Sequence, residues 1–112
     1  MKIETKKEGN VIIIRFFEKR LDAGIAEDFK EEMIKFVENG NTLFVLDISH
    51  VDFIDSRFLG TMISCFKLIG RDGRITISGA KDFVMKLFNL TRMDAVFQIF
   101  DNEKDAVKTL ST

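Results

Sequence analysis

Two hydrophobic periods alternate along the chain. Val11-Ile12-Ile13-Ile14 and Leu43-Phe44-Val45-Leu46 are short, almost wholly apolar runs, a pattern that suits strands covered on both faces. Residues 3–7 alternate more modestly, and Glu8-Gly9-Asn10 supplies turn chemistry, so the chain is predicted to open with a hairpin whose first strand is an edge. Ile25, Phe29, Met33 and Phe36 then recur at helical spacing, with Glu27, Lys30, Glu31 and Lys35 on the wet side. Asn39-Gly40 is a stop signal. A second apolar face, Leu59, Met62, Ile63, Phe66 and Ile69, starts from Ser56 and ends at Gly70-Arg71-Asp72-Gly73.

Arg74 to Ser78 alternates as a strand. Phe83, Val84, Leu87 and Phe88 mark a short helix within residues 80–89. Residues 96–100 read as a last strand, and Asp101 or Asn102 can cap a final helix through Ala106, Val107 and Leu110. The predicted order is β-β-α-β-α-β-α-β-α. It describes an α/β fold with a mixed, mostly parallel sheet and helices packed on it, whose crossovers should be right-handed.

The 112 residues fit one domain, 1–112. All 12 aromatic residues are Phe, so the aromatic mass can be buried without polar tips to satisfy. A formal net charge of -1 argues against nucleic acid as the main partner, because binding to a phosphate backbone needs a basic surplus. One cysteine allows neither an intramolecular disulfide nor a cysteine metal cage. There is no signal-like leader and no apolar stretch long enough to span a bilayer, which points to the cytoplasm.

Catalytic chemistry has little to build on. His50 is the only histidine, so no triad or His-rich metal site can form around it. Asp52 and Asp55 read as a loop carboxylate and the neighbour of a helix cap rather than an acid–base pair. Cys65 lies in an apolar helix face and reads as core. Thr61 and Ser64 read as ordinary helix residues. The chain is therefore expected to be a binding protein, not an enzyme, with no catalytic residue, no metal and no cofactor.

The stretch from Leu46 to Gly60 carries a resemblance. Asp55-Ser56-Arg57-Phe58-Leu59-Gly60 resembles the Asp-Ser-Ser-Gly-Leu-Gly signature of STAS domains, the bacterial anti-sigma factor antagonists, with Arg57 in place of the second Ser and Phe58 in place of the first Gly. Leu21-Asp22 resembles the family's Leu-Asp pair, residues 84–88 its Val-x-x-x-Phe helix, and Asp105-Ala106 the Glu-Ala pair of its terminal helix. The resemblance implies partner switching: the unmodified antagonist binds an anti-sigma factor that is also a serine kinase, phosphorylation of Ser56 weakens that binding, and a serine phosphatase restores it. Transcription is thereby regulated.

The implied contact surface is Asp22, Asp55, Ser56, Arg57 and Phe58. ATP belongs to the kinase. From position alone, Ser56 reads first as a helix cap, a role compatible with phosphorylation, and Phe58 is either an exposed anchor or a core residue. The chain is expected as a monomer, with a dimer through the edge strand as the alternative. Rival readings are a STAS module of a stress complex or a transporter partner, and a small ligand-binding domain.

Overall fold

The computed structural model describes residues 1–111. Its first three strands are β1 (Ile3–Glu8), β2 (Val11–Phe16) and β3 (Arg20–Leu21), followed by helix α1 (Ala23–Glu38). Strands β4 (Leu43–Asp47) and β5 (Phe53–Ile54) lead into α2 (Ser56–Leu68). The rest is β6 (Arg74–Ser78), α3 (Asp82–Thr91), α4 (Met93–Val96), β7 (Gln98–Phe100) and α5 (Glu103–Leu110). The main sheet has the order β1-β2-β4-β6-β7. β1 and β2 form the expected antiparallel hairpin and every later pairing is parallel. The fold is thus the predicted mixed α/β architecture. Three short elements add to it: the single turn α4, and the strands β3 and β5, which pair with each other in a separate two-stranded ladder.

Strand alternation divides the core in two. Ile12, Ile14, Phe16, Phe44, Leu46, Ile75 and Ile77 face α1 to α4 and meet Phe29, Met33, Phe58, Met62, Val84 and Phe88. The opposite face carries a smaller cluster, Val11, Ile13 and Val45, covered by Ala106 and Leu110 of α5. This two-sided cover explains why β2 and β4 read as continuous apolar runs rather than alternating ones. Phe66 and Phe83 only partly follow the helical apolar pattern. Phe83 is 61% exposed, while Phe66 lies at the rim with its ring edge-on to Phe97 at 5.8 Å.

Polar contacts pin α5 to its sheet face. The Arg15 guanidinium donates to both oxygens of Glu103, at 2.7 and 2.8 Å, and also to Glu4. The Arg15 bonds hold the Glu103 carboxyl at about 2, against an ordinary value of 4.5. Burial, helped by the neighbouring Glu103, pushes the Asp47 carboxyl up. The end of β6 turns tightly: Gly79 sits at φ +77°, and a side chain there would bring its Cβ to 2.8 Å from Ser49 Cβ. Only glycine fits that close approach.

Candidate functional site

The ladder β3–β5 draws two loops together at one end of the molecule. The carbonyl of Lys19 accepts from the amides of Asp52 and Phe53 at 2.7 and 3.1 Å, and that of Leu21 accepts from Asp55 N–H at 3.0 Å. Leu21 and Ile54 are buried beneath, which anchors both segments. Outside, the Arg20 guanidinium lies 4.5 Å from the centre of the Phe53 ring, a cation–π contact. Each segment then ends in an aspartate that starts a helix.

Asp22 caps α1, its Oδ1 accepting from Gly24 and Ile25 N–H at 3.1 and 3.4 Å. Asp55 caps α2, its Oδ1 accepting from Phe58 N–H at 2.9 Å. The other oxygen of Asp55 accepts from the amide of Ala23, the first residue of α1, at 3.2 Å. One carboxylate thus satisfies otherwise unpaired donors of two helices, where the two dipoles also favour negative charge.

This arrangement settles where Ser56 stands. It is not the cap; Asp55 is. Ser56 is the first residue of α2, exposed, and its hydroxyl makes no hydrogen bond among the described residues. Arg57 is also exposed and forms no ion pair among the described residues. It borders a shallow depression with Ala23, Ala26, Glu27, Lys30 and Thr61, between the first turns of α1 and α2.

Phe58 has to be removed from the expected contact surface. It is 1% exposed, its ring stacked on Phe29 at 5.3 Å and edge-on to Phe16 at 5.9 Å. The third position of a helix capped by Asp55 points into the layer between α1 and the sheet, and an aromatic ring fills that space. Asp22, Asp55, Ser56 and Arg57 remain together.

The loop is less acidic than its sequence suggests. Lys81 donates to Asp52 at 2.6 Å, and that bond lowers the Asp52 carboxyl below its usual range. The contact also ties the loop to the start of α3. His50 stands apart, its ring 5.1 Å from Phe17. Cys65 is fully buried, and burial pushes its thiol up to about 11, which removes it as a nucleophile at neutral pH. Among the described residues no three His, Cys, Asp or Glu side chains gather to hold a metal ion. None of the described helices is long and apolar enough to cross a membrane.

Sequence reasoning missed the β3–β5 ladder and the second hydrogen bond of Asp55. A signal was present, because Leu21-Asp22 and Ile54-Asp55 are two copies of one pattern, an apolar residue and an aspartate before a helix.

Comparison with known proteins adds the following. The family model described as the STAS domain matches residues 2–106. The chain is 26% identical over 98 residues to the anti-sigma-B factor antagonist of Listeria monocytogenes, covering 87% of this chain and 86% of the relative. An anti-sigma factor antagonist from Mycobacterium paratuberculosis has a similar structure at 16% identity, with a TM-score of 0.89 over 99% of this chain and 94% of that one. The Bacillus cell fate determinant SpoIIAA in its phosphorylated form is similar at 16% identity, with a TM-score of 0.75 over 97% and 99%. The same fold occurs in a sulfate transporter family protein from Wolinella succinogenes, at 18% identity and a TM-score of 0.78 over 91% and 85%.

Proposed function

Because the chain belongs to the STAS domain family, we propose that it is a cytoplasmic anti-sigma factor antagonist, which binds an anti-sigma factor serine kinase and is released from it by phosphorylation of Ser56. The observation that carries this reading is the hydroxyl of Ser56, exposed at the start of a helix whose capping is already done by Asp55. A kinase can take that hydroxyl without removing a structural hydrogen bond. A phosphoryl group there lies beside the positive end of the helix dipole, so the fold tolerates it.

Modification adds about -1.5 to -2 charges at neutral pH. They fall beside Asp55 and Asp22, in the middle of the surface offered to the partner. Repulsion and lost packing of a few kcal/mol reduce affinity about a hundred-fold or more, since each 1.4 kcal/mol is tenfold. The switch is therefore electrostatic and leaves the backbone in place. A serine phosphatase resets it. Exposed Arg57 is the cation nearest in sequence to the modified group and sets how much of the added charge the partner feels.

The test is affinity capture from a lysate of the source organism with wild type and Ser56→Asp, followed by mass spectrometry. Capture of a kinase-type anti-sigma factor by wild type, and its loss with Ser56→Asp, is the expected result. Equal capture by both removes Ser56 as the regulator. The similar transporter-family domain supports a second reading, a module that docks on a membrane transporter. Capture of a transporter in place of the kinase decides for it.

A further inference from the structure

Strand β1 ends the main sheet and, among the described residues, pairs only with β2, so its other edge is open. The direction of its backbone groups follows from the hairpin. Phe17 N–H donates to the carbonyl of Lys2 at 2.9 Å, which points Lys2 toward β2. Antiparallel strands alternate in this respect. Lys2, Glu4, Lys6 and Glu8 therefore turn their backbone groups inward, and Ile3, Thr5 and Lys7 turn theirs to the open edge.

We infer that this edge pairs antiparallel with β1 of a second copy of the chain, about a twofold axis at Thr5, to give one sheet continuous across the dimer. A twofold axis normal to the sheet sets same-face residues opposite each other. Centred on Thr5, the outward groups of Thr5 meet those of Thr5, and those of Ile3 meet those of Lys7. On the face shared with α5, Lys2 then stands opposite Glu8, and Glu4 opposite Lys6, each pair occurring twice. Every opposing charge is complementary, which favours pairing, as does a Thr–Thr pair at the centre. Sliding by two residues is the smallest shift that keeps the faces matched. In one direction it opposes Glu4 to Glu4 and Lys2 to Lys6; in the other, Lys6 to Lys6 and Glu4 to Glu8. A slide of four residues restores opposite charges only between Lys2 and Glu4 or between Lys6 and Glu8, half as many pairs, so the charge pattern favours the register centred on Thr5.

A second feature agrees. Ile3 borders a shallow depression lined by Asp28, Glu31, Glu32 and Lys35 of α1. In this register Lys7 of the second copy arrives opposite Ile3 on that face, where the carboxylates of α1 can receive its ammonium group. Edge strands usually carry charge to keep other strands away. Here the signs run Lys2, Glu4, Lys6, Glu8, an order that repels a copy shifted by two residues and brings the most opposite charges together in the register centred on Thr5.

Sedimentation equilibrium over a concentration series tests the inference. Wild type is expected to reach a dimer. Thr5→Pro removes an N–H that the hairpin does not use, so its circular dichroism and urea midpoint should stay near wild type, while dimer dissociation rises about tenfold or more from two lost hydrogen bonds. Lys2→Glu alone and Glu8→Lys alone each set like charges opposite one another and should weaken association. An equimolar mixture of these two variants should regain it as a heterodimer. A wild type that stays monomeric, a dimer indifferent to Thr5→Pro, or a mixture that does not recover would each overturn the inference.

Discussion

The carboxylate of Asp55 is the joint of the site, and its replacement tests the local geometry directly. Asp55→Ala removes two acceptors at once. Loss of an N-cap costs about 1 kcal/mol, and the bond to Ala23 N–H, exposed to water, adds at most about 1 kcal/mol. The sum is at most about 2 kcal/mol. Asp55→Asn keeps one acceptor oxygen. It should go to Phe58 N–H, the shorter bond at 2.9 Å, and leave Ala23 N–H, at 3.2 Å, facing an amide that cannot accept. The expected loss for Asn is therefore at most about 1 kcal/mol, up to half that for Ala. Urea unfolding followed by far-UV circular dichroism measures both, with the slope unchanged. Amide hydrogen exchange locates the effect: Ala23 should exchange faster in both variants, Phe58 only in the alanine variant. If Asn behaves like wild type, or if Ala23 exchange does not respond in either variant, the carboxylate does not join the two helices.

Phe58→Ala should cost about 3–5 kcal/mol as a core truncation, measured by the same unfolding assay; a loss under about 1 kcal/mol would return Phe58 to the surface. Arg92 closes α3 in the left-handed conformation at φ 61° without being glycine. Arg92→Gly should therefore raise stability by about 0.5–1 kcal/mol, read as an upward shift of the thermal midpoint; its exposed pairing with Asp94 at 3.6 Å contributes little against this. The ion pair under α5 predicts a pH dependence. The carboxyl of Glu103 is depressed from 4.5 to about 2, so its stabilisation, on the order of 2 kcal/mol, is complete above about pH 4.5 and is lost as pH falls toward 2. The raised carboxyl of Asp47 acts in the opposite sense, gaining stability as it takes up a proton. The stability gap between wild type and Glu103→Gln should shrink over that window, and a gap independent of pH would refute the pair.

Much of the fold was legible in the chain because it depends on local periodicity. Residues 11–14 of β2 and 43–46 of β4 are apolar at every position, as two-sided cover requires, and the helical spacing of Ile25, Phe29, Met33 and Phe36 recurs on one face of α1. The site was legible in part. Asp22, Asp55, Ser56 and Arg57 are named by the resemblance to the STAS motifs, and the structure brings these four together at the starts of α1 and α2. A motif names residues, however, and does not say which way they point. Phe58 lies within the motif and reads equally as anchor or core; the space between Phe29 and Phe16 decides that it is core.

The division has one physical cause. Sequence patterns report interactions between residues a few positions apart: caps, turns and apolar faces. The bond from Ala23 to Asp55 spans 32 positions and that from Arg15 to Glu103 spans 88. No local pattern encodes such pairs, because they exist only after the parallel sheet has set its strand order. The sequence by itself determined the class of fold and the acidic residues that open two helices. Only the tertiary structure decided that one of those residues serves both helices.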